Sequence, residues 1–206
     1  MPPVSSQDEF AAFVLAHLPR PPGRVLEVGC GEVGGVAPWL AGAGYEPLAI
    51  DPNAPEGSWY RRTRLDDLGD DGPFVAAVCG RVLHHLEPLD PALDRLAGLA
   101  PLLILDEFGW NRIDERARAW YREEHRLLDD PPGPPDLAVW LPAHSHLHTF
   151  ETMREALAAR YEPRLLREGP YLYRWLGARR DEEERLIAAG ELPAIGWRYV
   201  GAVTSA

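Results

Sequence analysis

The chain has 206 residues, a formal net charge of −11 and 46% hydrophobic residues. This length suits one sizeable hydrophobic core, and so predicts a single domain over residues 1–206. An acidic chain without a basic block argues against nucleic acid or an anionic membrane as partner. No apolar run is long enough for a transmembrane helix and the N-terminus has no signal-peptide pattern, so we expect a cytoplasmic protein.

Two residue types narrow the chemistry further. All 21 basic residues are arginine, so the lysine needed for Schiff-base chemistry or for a nucleotide triphosphatase phosphate loop is absent. The two cysteines, Cys30 and Cys79, fall at predicted strand ends. That placement favours small buried side chains over a disulfide framework.

The first half of the chain predicts alternating helices and strands. An amphipathic helix over residues 6–18 precedes strands at 25–28, 47–50, 62–65, 74–79 and 102–105, with helices at 35–43 and 91–100. The runs VAAVC and LLIL lack two-fold alternation, which indicates a parallel sheet covered on both faces. Right-handed crossovers place the carboxyl ends of such strands at one edge, where ligands bind. We therefore expect one crevice to be lined by Gly29, Asp51, Asp66, Cys79 and Asp106.

The second half is less regular. Asn111 is predicted to cap a polar helix that ends near Leu128, and the five prolines of residues 129–142 predict a loop without regular structure. Thr149 is predicted to cap a helix over 150–160, and strands are expected at 164–167 and 197–203.

The glycine turn after the first strand is the most informative feature. Residues 24–35, RVLEVGCGEVGG, predict a strand, a turn and a helix start, and Asp51 ends the next strand. This pattern is typical of the nucleotide-binding half of an α/β sheet, where the acid accepts hydrogen bonds from a ribose. Gly29 to Gly34 also satisfies G-x-G-x-x-G, so an NAD-dependent oxidoreductase is one alternative.

Three observations favour S-adenosylmethionine over NAD. Glu27, two residues before Gly29, can reach the amino group of a methionine moiety and would repel a pyrophosphate. Asp66 and Asp67 follow the predicted third strand, where a side chain or amide can bind the edge of adenine. The chain also leaves little room for the separate substrate domain of many dehydrogenases.

These motifs resemble those of the class I S-adenosylmethionine-dependent methyltransferases, in the small-molecule branch called type 11 or 12. VLEVGCG is similar to the first motif of that family, AIDPN to its ribose-binding acid and FVAAVCGRVLHHL to its fourth-strand motif. LLILDEF followed by WNRIDERARAWY is similar to actinobacterial members. The resemblance implies a Rossmann-like α/β three-layer sandwich, with a seven-stranded, mostly parallel sheet whose last strand is antiparallel.

The resemblance also implies a cofactor site and a reaction. Glu27 and Gly29 would hold the methionine end of S-adenosyl-L-methionine, Asp51 the ribose, Asp66 or Asp67 the adenine, and Cys79 the floor beneath the sulfonium, with Cys30, Gly31 and Pro52 also in contact. Val33 stands where the family has a third glycine, and Gly34 and Gly35 are displaced by one. The expected reaction is in-line methyl transfer to an oxygen, nitrogen or carbon atom of a small molecule, with a secondary metabolite as the expected acceptor.

The candidate catalytic residues are His84, Glu107, His146 and His148. Methyl transfer mainly requires alignment, and a base is needed only where the nucleophile loses a proton. His144, His146 and His148 alternate, so in an extended segment they would share one face and offer a base from a lid. Metal binding by the three is the less favoured alternative, since no acid or cysteine completes a ligand set. For His84 and its neighbour His85, packing and turn capping are the structural alternative.

The candidate substrate residues are Arg81, Trp110 and His144, with residues 110–150 as a lid or insertion over the acceptor. Arg81 would bind a carboxylate, while ordinary core packing is the alternative for Trp110. The structural alternative for Glu107 is an ion pair with Arg81 or Arg112. We expect a monomer or homodimer acting on a small molecule. A non-catalytic module that binds S-adenosylmethionine is the second functional alternative.

Overall fold

The computed structural model describes residues 6–69 and 71–204. Seven strands form one sheet: β1 (Arg24–Val28), β2 (Glu46–Ile50), β3 (Tyr60–Arg61), β4 (Ala76–Gly80), β5 (Leu102–Phe108), β6 (Tyr161–Gly169) and β7 (Gly196–Val203). Their order is β3-β2-β1-β4-β5-β7-β6. The first five strands are parallel, and β7 runs antiparallel to both β5 and β6. The predicted seven-stranded sheet with an antiparallel last strand is confirmed.

Eight α-helices accompany the sheet within the described residues. They are α1 (Ser6–His17), α2 (Ala37–Gly42), α3 (Leu89–Leu99), α4 (Glu115–Leu127), α5 (Leu137–Ala143), α6 (Phe150–Ala158), α7 (Leu172–Leu176) and α8 (Arg180–Ala188). Short 3-10 turns occur at Leu83–His85 and Trp110–Arg112. Of the helices in this part of the chain, none is long and apolar enough to cross a membrane.

Two apolar clusters, one on each face of the sheet, give the three layers. On one face, residues of α1 and α2 pack on alternate side chains of the strands, such as Val25, Ala76 and Val78. On the other, residues of α3 and α6 pack on Leu26 and Ala77. Because successive strand side chains point to opposite faces, a strand covered on both needs a continuous apolar sequence, which explains the runs in β4 and β5.

A third apolar cluster lies beyond the carboxyl edge of the sheet. It joins Phe108 at the end of β5 to α4, α5, α7 and α8, through residues such as Tyr121 and Leu172. This cluster places the second half of the chain beside the ends of the strands. A ligand bound at the end of β5 would therefore lie close to it.

The structure corrects three element predictions. β3 is Tyr60–Arg61 rather than 62–65, because only these residues pair with β2. β5 continues to Phe108, so Asp106 and Glu107 lie within the strand and not after it. Residues 129–142 are not entirely irregular: the carboxylate of Asp136 accepts a hydrogen bond from the Ala138 amide and begins α5, which includes Pro142 near its end.

The N-cap of α4 is Asp114 and not Asn111. The Asp114 carboxylate accepts a hydrogen bond of 2.9 Å from the Ala117 amide. Asn111 instead accepts from the Phe150 amide at 3.0 Å, and so fixes the start of α6. The predicted cap of α6 is confirmed, since the hydroxyl of Thr149 accepts from the Thr152 amide.

Candidate functional site

A cavity of about 280 Å³ opens at the carboxyl ends of β1 and β2. Four predicted cofactor residues line it, namely Gly29, Asp51, Pro52 and Asp66. The rest of the lining is Val28, Ile50, Thr63, Arg64, Leu65, Val82, His85, Leu86, Glu87 and Ala92. Val28, Ile50, Val82, His85 and Leu86 lie within the quoted motifs but were not predicted as contacts, and the segment from Thr63 to Leu65 comes from a loop whose position depends on the packing of the sheet edge.

The carboxylate of Asp51 is held in place by two backbone amides. Its Oδ2 accepts from Gly31 at 3.1 Å and its Oδ1 accepts from Asn53 at 2.8 Å. Gly31 has a φ of +60°, and a Cβ built on it would meet no atom within 4 Å. The turn therefore presents bare backbone to open space beside a fixed carboxylate, which is the geometry expected of a nucleotide-binding turn.

Glu27 has a different role from the predicted one. Its side chain is 3% exposed, and both carboxylate oxygens accept from the Val36 amide, at 2.8 and 3.0 Å. Burial raises the pKa of Glu27 to about 7, against the lowering effect of these hydrogen bonds. The carboxylate is thus directed into the start of the following helix and does not line the cavity. This corrects the prediction that it is free to hold an amino group.

Four more predicted cofactor residues lie outside the cavity lining, namely Gly31, whose amide binds Asp51, and Cys30, Asp67 and Cys79. Cys79 is 1% exposed and packs in the core, and burial raises the pKa of its thiol. Cys30 is also buried, and burial together with the charges of Glu27 and Asp51 raises its pKa to about 12. Both thiols are therefore protonated at neutral pH. Asp67 is exposed and, unlike Asp66, does not line the cavity.

The structure brings together two of the candidate catalytic residues, His84 and Glu107. The Nδ1 atom of His84 lies 2.7 Å from Oε1 of Glu107, and both residues are at most 5% exposed. The Glu107 carboxylate also accepts from the amides of Leu83 at 2.8 Å and Phe108 at 3.1 Å. A carboxylate at this distance fixes Nδ1 as the donor, which leaves Nε2 as the basic nitrogen of a neutral ring.

This pair corrects the expected partners of Glu107. Arg112 is 2.8 Å from Glu168, on β6, and not bound to Glu107. Arg81 follows β4 with a φ of +57°, and its amide donates to the Asp106 carbonyl at 2.7 Å. The Arg81 guanidinium is exposed and forms no ion pair within the described residues.

The histidines at 144, 146 and 148 do not form the extended, single-faced segment that we predicted. His144 is the C-cap of α5, and its ring stacks on that of Trp140 with 4.0 Å between the centroids. Nδ1 of His144 lies 2.7 Å from the backbone carbonyl oxygen of Trp140. His146 is exposed in the turn that follows. Within residues 6–69 and 71–204, no three His, Cys, Asp or Glu side chains are grouped so that they could hold a metal ion.

His148 faces the loop after β4 instead. Its Nε2 lies 2.9 Å from the Leu86 carbonyl and 3.2 Å from a carboxylate oxygen of Glu87, and its amide donates to the His84 carbonyl at 3.2 Å. The indole of Trp110 donates to the carbonyls of Leu147 and His148, both at 3.2 Å. Trp110 and His148 thus join the 110–150 segment to the loop that carries His84.

His85 lines the cavity, and its ring lies 4.1 Å from the ring of His84. Burial lowers its pKa, and the neighbouring rings of His84, His146 and His144 lower it further, against the raising effect of Glu107. Of these four rings, that of His85 lines the cavity, while the rings of His144 and His146 lie 6.3 Å from each other. His84 alone among them has a carboxylate fixing one ring nitrogen, which makes it the best-oriented base.

Comparison with known proteins identifies the family. The sequence model of the methyltransferase domain family matches residues 6–160, which is more than half of the chain. Among curated proteins, no sequence matches the chain.

Solved structures share the fold. The 1,6-didemethyltoxoflavin-N1-methyltransferase of Burkholderia thailandensis is 17% identical over 98% of this chain and 80% of that one, with a TM-score of 0.59. Geranyl diphosphate C-methyltransferase of Streptomyces coelicolor A3(2) is 12% identical over 96% and 81%, with a TM-score of 0.59. The magnesium protoporphyrin IX methyltransferase of Synechocystis PCC 6803 is 18% identical over 97% and 78%, with a TM-score of 0.55. The chain therefore belongs to the methyltransferase domain family, which confirms the class I S-adenosylmethionine-dependent methyltransferase predicted from the sequence.

Proposed function

We propose that the protein transfers the methyl group of S-adenosylmethionine to a small-molecule acceptor. The observation that carries the proposal is the Asp51 carboxylate, held by the Gly31 and Asn53 amides at the rim of a cavity of about 280 Å³. The similar structures named above were solved with S-adenosylmethionine or S-adenosylhomocysteine bound. Bound there, the cofactor would supply an electrophilic methyl group on a positively charged sulfur.

Different residues of the cavity would bind different parts of the cofactor. Asp51 would accept hydrogen bonds from the two ribose hydroxyls, and the Gly29–Gly31 backbone would lie against the methionine part. Leu65, Leu86 and Ala92 supply an apolar slot for adenine, with Asp66 at its edge. NAD is the alternative ligand of this turn, because a carboxylate at the position of Asp51 can also accept hydrogen bonds from the ribose of a dinucleotide.

His84 would serve as the base for an acceptor that loses a proton. Glu107 holds Nδ1–H of the ring, so Nε2 can accept the proton, and the developing imidazolium is stabilised by the adjacent carboxylate. Segment 110–150 would cover the acceptor, with Arg81 and His144 as candidate contacts. The similar enzymes methylate nitrogen and carbon in unrelated small molecules, so the fold itself does not select the atom.

Calorimetric titration with S-adenosylhomocysteine and, in parallel, NAD tests the proposal. We expect the sulfur ligand alone to bind, and Asp51→Asn to weaken its affinity by about 10- to 100-fold, the usual effect of losing hydrogen bonds to a charged group. Asp67→Asn is the matched control, since it removes the same charge from an exposed position outside the cavity. Binding of NAD alone would overturn the proposal, and equal affinity of Asp51→Asn and wild type would overturn the ribose assignment.

A further inference from the structure

A second cavity, of about 370 Å³, opens at the same edge of the sheet, over β5, β7 and β6. It lies on the other side of β4 from the cofactor cavity. Gly80 at the end of β4 pairs with Asp106, which lines the second cavity, and Cys79 pairs with Val28, which lines the first. Neighbouring strands are about 4.8 Å apart, so the ends of β1 and β5 are separated by about 10 Å.

Arginines and carboxylates form the walls of this cavity. Arg174 makes two hydrogen bonds to the Asp106 carboxylate, at 2.6 and 3.0 Å, and Arg198 Nε makes a third at 3.1 Å. Burial would raise the pKa of Asp106, but the two arginines outweigh it and hold the pKa below its usual range. Asp106 is therefore charged, and its charge is shared between two guanidinium groups.

A second carboxylate of the cavity wall, that of Glu9 in α1, also has two partners. It pairs with Arg180 and accepts a hydrogen bond of 3.1 Å from the Tyr173 hydroxyl. Nη2 of Arg198 forms an ion pair with Glu9 at 3.7 Å, a distance too long for a hydrogen bond. Arg198 thus uses only Nε in a hydrogen bond among the described residues, and its two terminal nitrogens keep donors to spare.

Arg167 has no carboxylate partner among the described residues. It lies directly across from Arg198 on the neighbouring strand, and both guanidinium groups approach the ring of Phe13, at 5.7 and 5.2 Å. Like charges directly opposite each other on neighbouring strands are destabilising, and Asp106, which is bonded to Arg198, offsets part of this repulsion. The acid next to Arg167, Glu168, is bound by Arg112 instead. Four arginines and four carboxylates line the cavity, and Arg167 is the one of these arginines without a carboxylate partner among the described residues.

We propose that this cavity binds an oxyanion of the methyl acceptor, a carboxylate or a phosphate ester, through Arg167 and the free terminal nitrogens of Arg198. A guanidinium fork matches two oxygens of such a group, and Arg198 is already oriented by Asp106. The inference rests on the proposed function for its acceptor. The oxyanion would be anchored over β6 and β7, and the rest of the acceptor would reach toward the end of β4.

Titration with inorganic phosphate and with acetate tests this assignment. The protein, free and with S-adenosylhomocysteine, is followed through the side-chain Nε–Hε resonances of its arginines. We expect saturable shifts at Arg167 and Arg198, and an affinity about tenfold lower in Arg167→Gln. Arg164→Gln is the matched control, because Arg164 is exposed on the same strand and does not line the cavity. Arg167→Lys, which keeps the charge and loses the fork, should give an intermediate affinity.

The outcomes separate this inference from the proposed function. Absence of saturable shifts for both oxyanions, or an equal loss in Arg164→Gln and Arg167→Gln, would overturn the oxyanion site even where S-adenosylhomocysteine binds normally. Failure of S-adenosylhomocysteine to bind would count against the proposed function alone. Saturable binding of either probe that depends on Arg167 supports the site, and the tighter probe identifies the group.

Discussion

At the scale of single residues, the hydrogen bond between His84 and Glu107 separates catalysis from cofactor binding. Neither residue lines the cofactor cavity, so His84→Gln should leave the affinity for S-adenosylhomocysteine unchanged. If His84 is the base, turnover of an acceptor found by screening should fall by about 100-fold or more. Glu107→Gln should lower turnover less and shift its pH profile, because it acts through the orientation and charge of the ring.

His146→Gln is the control for this prediction, because His146 is exposed and has no carboxylate partner within the described residues. It should retain close to wild-type turnover. Equal losses in His84→Gln and His146→Gln, or unchanged turnover in both, would contradict the assignment of the base to His84. Turnover and calorimetric affinity are measured on the same preparations, so a folding defect is visible as a loss of both.

At the scale of elements, the turn between β1 and α2 depends on one glycine that the family motif does not include. Gly35 has a φ of +54°, and a Cβ built there would stand 1.9 Å from Oε1 of Glu27. Gly35→Ala must therefore displace the buried carboxylate that holds the Val36 amide. We expect the free energy of unfolding to fall by about 2 to 3 kcal/mol, with a weaker affinity for S-adenosylhomocysteine.

Gly42→Ala is the matched control in the same segment. Gly42 lies in α2 without a positive φ, and its Cβ would meet nothing within 4 Å. Alanine there should be neutral, or stabilising by up to about 1 kcal/mol. Urea unfolding gives the free energies of unfolding of Gly35→Ala and Gly42→Ala. Similar values for the two variants would show that the Glu27 contact does not constrain the turn.

The elements that sequence patterns predicted are those whose cause is local. β1, β4 and β5 have apolar runs, and the cap of α6 needs only Thr149. β3 has two residues, and its pairing with β2 alone makes it a strand. α5 follows a proline-rich stretch, and its apolar face is stabilised by α4 and α7, which the local sequence does not reveal.

The same distinction applies to the candidate site. The sequence predicts Asp51 as a cofactor residue because the number of residues between the glycine turn and this acid is a local feature of the motif. The contact between His84 and Glu107 joins residues 23 apart and depends on the register of β4 with β5. The cavity with Arg167 depends on the return of β6 and β7 to the sheet, and so on the tertiary fold.

At the scale of the whole molecule, the buried acids differ in what stabilises them. Asp106 is paired with two arginines, whereas Glu27 and Glu183 are held by backbone amides and have no direct ion pair among the residues that the structure describes. Burial raises the pKa of both Glu27 and Glu183. Ionising such a group inside the protein costs free energy, so these acids make global stability depend on pH.

For Glu27 the sign follows from a pKa of about 7 in the folded state and 4.5 as its ordinary value. Between these values the folded protein keeps a proton that the unfolded chain releases, so stability falls as the pH rises through this window and then levels off. The full loss in the free energy of unfolding is about 3 kcal/mol.

Glu27→Gln removes this titration and leaves Glu183 in place. Urea unfolding of both proteins at about pH 5 and pH 8 should therefore show wild type losing about 2 to 3 kcal/mol more than the variant. Parallel pH profiles would mean that Glu27 is ionised in the folded protein at neutral pH.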